Sequence, residues 1–242
     1  MRYAILGDVH ANLEALSAVI KQCKNEGARR FFCVGDIVGY GANPSEAIAK
    51  FIEVGIVSVA GNHDWAVAGK ISTENLNETA AKAAVWTQKK VRPTDVEYLN
   101  ALALIFKNDD FLMVHGSLNH PQQFHYLTDI EEAADTFYLM DRRVCFVGHT
   151  HVPRIFVRHG ERSLLTDTYK PLELRPDFKY IVNVGSVGQP RDGNPHACYC
   201  IYDPDLERIE IKRVAYHIHA AQTKIMQAGL PESLGSRLVI GQ

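Results

Sequence analysis

The sequence predicts an α/β fold, and three observations carry that prediction. Apolar strand-like runs alternate with helix-like patterns through the first sixty residues, the period shortens to that of strands in the second half, and five apolar runs end in short polar clusters. The opening reads as βαβαβ: strand 3–6, helix 13–23, strand 31–34, helix 45–54, strand 56–59. Pro44 stands at a helix entrance, and Gly27 and Gly55 stand just past helix ends, the positions that suit each residue's backbone. A polar stretch at 69–77 precedes a helix at 78–90, and Pro93-Thr94-Asp95 restarts a short one. Further on, 111–114, 144–147, 154–158, 180–184, 197–202 and 208–214 read as strands, with Asp203-Pro204-Asp205 as a hairpin turn. A helix at 217–227 reads as the last element. The segment 65–100 is the natural place for a substrate lid, and no internal repeat is visible.

The 242 residues, 46% of them apolar, can bury a full core, and length alone allows one large domain or two small ones. A net charge of -2 supplies no global field for nucleic acid or a membrane surface, so partners must be argued from sites. Met1 leads straight into a strand-like run without a basic, apolar leader, and no stretch approaches the ~20 apolar residues of a membrane span. These features predict a soluble, cytoplasmic protein. The five cysteines, odd in number and set in apolar runs, read as reduced core thiols. Cys198-Tyr199-Cys200 has chelating spacing, but it lies on an alternating strand without a second cysteine pair.

The polar clusters are Gly7-Asp8-Val9-His10, Gly35-Asp36, Gly61-Asn62-His63-Asp64, His115-Gly116-Ser117 and Gly148-His149-Thr150-His151. Carboxyl ends of strands in α/β sheets converge on one crevice, so these residues can meet although they are distant in sequence. Leaving His63 and Asp64 aside, they offer two carboxylates, four imidazoles and one amide oxygen. Seven hard or borderline ligands without a thiolate suit two divalent ions that share a carboxylate, and they favour manganese, iron(II) or zinc over copper(I) or calcium. The glycines before Asp8, Asp36, Asn62 and His149 fit sharp turns where a side chain would crowd the ions. Tyr216-His217-Ile218-His219 serves as an internal control: it has the same histidine spacing but opens a helix and lacks the preceding glycine. It reads as a solvated helix start.

In this order, D-x-H, G-D, G-N-H-D, H-G and G-H-T-H resemble the calcineurin-like metallophosphoesterase superfamily. The segment from Asn183 to Asp192 and Gly39-Tyr40-Gly41 resemble its small single-domain bacterial and archaeal phosphodiesterases. The resemblance implies one domain over 1–242, folded as a four-layer α/β/β/α sandwich of two mixed sheets flanked by helices. It implies that Asp8, His10, Asp36 and His151 hold one metal and that Asp36, Asn62, His115 and His149 hold the other. His63 is then the catalytic histidine. The implied cofactors are two divalent ions, manganese foremost, with iron(II), zinc, nickel and magnesium as alternatives.

The implied reaction is in-line attack of a metal-bridging hydroxide on a phosphodiester or phosphomonoester of a small phosphorylated substrate, with His63 as imidazolium protonating the departing oxygen. Protein phosphatases of this superfamily carry a phosphate-gripping arginine after G-D, whereas residues 37–41 here contain none. Arg191 is the candidate replacement, and the loop around Tyr40 is a candidate pocket wall. Val184 stands where the small phosphodiesterases usually have proline. The competing readings are a dinucleoside polyphosphate hydrolase, a Ser/Thr protein phosphatase and a non-catalytic metal-binding scaffold. Oligomeric state is open, homo-oligomers included.

Overall fold

Successive side chains on a strand turn to opposite faces. In the computed structural model, which describes residues 1–166, 168 and 170–242, both faces of the principal strands are buried. The opening unit is β1 (Tyr3–Leu6), α1 (Leu13–Asn25), β2 (Arg30–Cys33), α2 (Pro44–Val54) and β3 (Val57–Ser58), with its three strands parallel as the βαβαβ pattern requires. Three helices follow, α3 (Asn62–Val67), α4 (Glu78–Gln88) and α5 (Pro93–Ala101). Next come β4 (Ile105–Lys107), β5 (Leu112–Val114), α6 (Ile130–Leu139), β6 (Val144–Val147), β7 (Arg154–His159), β8 (Arg162–Thr166), β9 (Leu172–Glu173) and β10 (Lys179–Asn183). The hairpin β11 (Ala197–Asp203) and β12 (Arg208–Val214) leads to α7 (Ile218–Gln227) and α8 (Glu232–Ile240).

The strands form two mixed six-stranded sheets, ordered β3-β2-β1-β11-β12-β9 and β4-β5-β6-β10-β7-β8. Alternation sorts the core into layers. Tyr3, Ile5 and Phe32 face inward and pack with Phe146, Val182 and Tyr202 between the sheets. Ala4, Leu6 and Phe31 face outward, where they cluster with Leu16, Ile48 and Phe51 of α1 and α2. On the second sheet, Cys145, Val147 and Ile181 face Ala133 and Phe137 of α6. This is the four-layer sandwich, and its doubly buried strands explain the near-continuous apolar runs in the sequence.

Several elements depart from the sequence reading. The chain continues past 227 into α8, whose central Gly235 weakens its helical signature. A Cβ there would lie 3.2 Å from Gln222 Cγ, so close approach to α7 suits glycine. Helix α6 was not anticipated, although Asp129 caps it by accepting from Glu132 N at 2.9 Å. The unread strands β4, β8 and β9 all occupy sheet edges, where Ile105, Leu164 and Leu165 remain exposed and no doubly buried run arises.

At one end of the sandwich, the carboxyl ends of β1, β2, β3, β5 and β6 lead directly into the five polar clusters. Helices α4, α7 and α8 share a separate apolar cluster that includes Tyr40, which ties the C-terminal helices to a wall of that end. Among the described residues, no helix is long and apolar enough to cross a membrane.

Candidate metal centre

Six of the seven candidate ligands are brought together and the seventh, Asn62, lines the same cavity; five of the seven are held in an unusual backbone state. Asp8, His10, Asp36, His149 and His151 all have φ between 48° and 69°. Non-glycine residues in this left-handed region each cost of order 1 kcal/mol or more, a strain that persists where the surroundings over-determine it. Here the sharp turns fall on the ligands themselves. Of the glycines that precede them, Gly7, Gly61 and Gly148 lack positive φ and are required for space instead. A Cβ on Gly148 would approach Asp8 Oδ2 to 2.7 Å, and one on Gly61 would approach Asp36 Oδ1 to 2.1 Å. The expectation of a turn-forming glycine at each strand end is therefore corrected to one of close packing at three of the four.

Two groups of ligand atoms lie within 4.8 Å of one another: Asp8, His10, Asp36 and His151 in one, and Asp36, His115 and His149 in the other. Asp36 joins both, with Oδ2 3.5 Å from His10 Nε2 and 3.4 Å from His115 Nε2. The imidazole orientations are set from behind. His10, His115 and His151 place Nδ1 3.1, 2.8 and 2.7 Å from the carbonyl oxygens of Val38, Val34 and Gln189. A carbonyl only accepts, so each Nδ1 carries a proton and each ring points its Nε2 inward, where the neutral form presents a lone pair. His10 Nε2 and His151 Nε2 consequently face each other at 3.1 Å, and His115 Nε2 faces His149 Nδ1 at the same distance.

The protein alone does not satisfy this cluster. Burial pushes Asp8 up to about 7, against the pull of His115 and with the added repulsion of Asp36. Burial acts the same way on Asp36, but His115, His63 and His10 together hold that carboxyl well below the usual carboxylate range. His10, His149 and His151 are driven well below the ordinary histidine value, chiefly by burial. His115 is the exception: burial opposes its charge, yet Asp36 lifts it to about 9. Converging lone pairs and two buried carboxylates are the donor set of a divalent-cation site.

Asn62 and His63 open α3, which replaces the simple turn expected at the end of β3. The Oδ1 of Asn62 is buried and has no hydrogen-bond partner, as fits an amide oxygen reserved for a cation. His63 donates its backbone N–H to Asp36 Oδ1 at 2.9 Å, and its ring packs edge-on to His10 and against Tyr40 with centroids 4.9 and 4.4 Å away. Its Nδ1 is buried and unpartnered, and burial lowers its pKa. Arg191 lies over the Tyr40 ring at 5.7 Å, with Nη2 donating to Gln189 Oε1 at 2.9 Å and Nε buried without a partner.

Sequence reading missed the residues that support the cluster. Asp64 is fully buried and accepts from Ile37 N, Val38 N and Gly61 N at 2.9, 3.2 and 3.0 Å, which ties the Asp36 loop to the Asn62 loop. Asn183 Nδ2 donates to Gly148 O and Thr150 Oγ1, and Ser186 Oγ donates to Asp8 O. The quoted segment 183–192 contained both residues, but only their folded partners disclose this role. A cavity of about 550 Å³ opens over the cluster, with Asp36, Asn62, His63, His149, His151 and Arg191 along its lining. Tyr40 and parts of the 65–100 segment also line it, as do residues 122–126, which carry no motif in the sequence. There Tyr126 stacks on His149 with ring centroids 4.0 Å apart. Trp65 packs against Phe124 at 5.4 Å and does not line the cavity.

A sandwich of two mixed sheets with an Asp/His cluster at the strand ends defines a metallophosphoesterase architecture. The model of the calcineurin-like phosphoesterase superfamily domain matches residues 1–207, and the chain belongs to that superfamily. It is 43% identical to the uncharacterized protein MJ0912 of Methanocaldococcus jannaschii, over 99% of this chain and 98% of that protein. The crystal structure of a metallophosphoesterase from Sphaerobacter thermophilus superimposes with a TM-score of 0.87 at 38% identity, with both chains fully covered. A hypothetical protein from Pyrococcus horikoshii, PH1004, shares the fold with a TM-score of 0.81 at 19% identity over 100% of this chain and 98% of that one.

Proposed function

We propose that this chain is a phosphoesterase that uses two divalent metal ions to hydrolyse a small phosphorylated substrate. The observation that carries this reading is the convergence of the inward-facing Nε2 atoms of His10, His115 and His151 around the shared carboxylate of Asp36. Asp8, His10, Asp36 and His151 would hold one ion, and Asp36, Asn62, His115 and His149 the other. Such ions lower the pKa of water and neutralise phosphoryl oxygens. We propose manganese first among the metals that O and N donors without thiolate suit, with iron(II), zinc, nickel and magnesium as alternatives, and reduced buried cysteines are consistent with a cytoplasmic setting.

The protein's own groups supply orientation and a proton. Arg191, steadied by Gln189 and Tyr40, grips the phosphoryl oxygens through its unpartnered guanidinium donors. His63 is anchored to Asp36 through its backbone alone; burial disfavours its charged ring, but the Asp36 carboxylate and a bound phosphoryl anion favour it, and in that form the ring protonates the departing oxygen. The test is His63→Ala, with bound metal and rates measured across esters of increasing leaving-group basicity. Full metal occupancy should persist while turnover falls by about 10²- to 10⁴-fold, most for alkoxide leaving groups. Depleted metal with an equal rate loss for every ester would make His63 a support for Asn62 and refute its assignment as the acid.

A further inference from the structure

The part of the 550 Å³ cavity that extends beyond the phosphoryl position has a distinct chemistry. Its size lies within the ~300–1,000 Å³ range of pockets that engulf small organic ligands, so it has room for more than a phosphate. Among the described residues, the only permanently charged side chains on its walls are Asp36 and Arg191, and both belong to the phosphoryl end. The outer walls instead carry four side-chain amides, Asn75 and Asn77 from one side of the chain and Gln122 and Gln123 from another.

These amides are largely unspent. Among the described residues, neither Asn75 nor Gln122 has a side-chain hydrogen-bond partner. Asn77 uses its Oδ1 to cap α4 by accepting from Ala80 N at 3.0 Å, and its NH₂ is left over. Gln123 engages His125 Nε2 through Oε1 at 2.6 Å, so its NH₂ is likewise free. Ile71, Leu76 and the half-exposed ring of Tyr126 add apolar surface beside them.

Building on the phosphoesterase reading, we propose that the organic part of the substrate is an uncharged nucleoside held by the amide wall, with a single phosphoryl group at the Arg191 end. Asn and Gln present a donor and an acceptor side by side, the pattern that complements the edge of a nucleobase. Apolar side chains and a tyrosine ring suit its faces. A polyphosphate chain spreads several negative charges, and these walls offer one guanidinium to receive them. Asn75, Asn77, Gln122 and Gln123 are therefore specificity residues, outside the group that performs the chemistry.

The test uses two esters with one leaving group, thymidine 5′-(p-nitrophenyl phosphate) and methyl p-nitrophenyl phosphate, with diadenosine tetraphosphate as the polyphosphate probe, all on manganese-loaded protein. Because the leaving group is shared, the ratio of kcat/KM values reports the nucleoside contacts alone. That ratio should be about tenfold or more, as two neutral hydrogen bonds imply. The double variant Asn75→Ala/Gln122→Ala changes two exposed residues and should bring the ratio close to one. Diadenosine tetraphosphate should be turned over more slowly than the thymidine ester. A wild-type ratio near one, a ratio unmoved by the double variant, or a preference for the tetraphosphate overturns the nucleoside assignment and leaves the phosphoesterase reading standing. Failure to hydrolyse both of these diesters and the monoester p-nitrophenyl phosphate overturns both readings.

Discussion

Replacing Gly61 with alanine adds one methyl group and alters no candidate ligand, yet it should disable the whole centre. Gly61 has φ -98° and ψ 174°, an extended backbone that alanine adopts freely, so no conformational penalty enters. Its Cβ would stand 2.1 Å from Asp36 Oδ1, whereas real Cβ atoms essentially never come closer than 3.0 Å. The two atoms must therefore separate by at least about 0.9 Å. Asp36 belongs to both ligand groups and accepts from His63 N, so one displacement disturbs both metal positions and the candidate acid. Misplacement of a reacting group by ~1 Å costs about 10²-fold in rate.

Gly61→Ala should therefore lose about 10²-fold in kcat/KM on p-nitrophenyl esters and retain less of both metals after dialysis. The control is Gly55→Ala at the end of α2, where φ is 73° and no atom lies within 4 Å of the new Cβ. That variant should lose about 1–2 kcal/mol of stability through its left-handed backbone and keep its metals and activity. Metal analysis, steady-state rates and urea denaturation on both proteins separate the two causes. Full metal content and wild-type turnover in Gly61→Ala would refute the packing argument.

Asp64→Asn places an NH₂ group where a carboxylate accepts from three backbone N–H groups, so at least one buried donor loses its acceptor; urea denaturation should show a loss of about 1–3 kcal/mol. Asp95 is buried, and although burial alone would raise its pKa, Arg92 and Ser45 lower it through hydrogen bonds. A depressed carboxyl contributes stability above its unfolded value of about 3.9 and loses it as pH falls through the folded value. Asp95→Asn should therefore be less stable than wild type at pH 6, and the gap should narrow at pH 2.5; a constant gap in denaturation midpoints would contradict this. Manganese at 100-fold its dissociation constant should stabilise the stripped protein by about 2.7 kcal/mol per independent site, and Asn62→Ala should weaken that response because it removes a buried acceptor with no other partner. An unchanged manganese response in Asn62→Ala would remove that residue from the centre.

The sequence by itself determined the alternation of strands and helices and the meeting place, while the layers followed from the family resemblance. Doubly buried strands leave long apolar runs, and polar clusters directly after such runs mark the strand ends. Those signals are local, so Asp8, Asp36, His115 and His149 could be placed without coordinates. Edge strands such as β8 escaped because an exposed face breaks the run, and α8 escaped because Gly235 answers to its neighbour α7. Only the tertiary structure decided which atom each histidine turns inward, because Val34, Val38 and Gln189 hold the imidazoles through backbone carbonyls that carry no sequence signature. It likewise decided that residues 122–126 wall the cavity, since a loop acquires that role from where the two sheets bring it. Patterns along the chain report what each segment buries; partners far apart in sequence are chosen by packing.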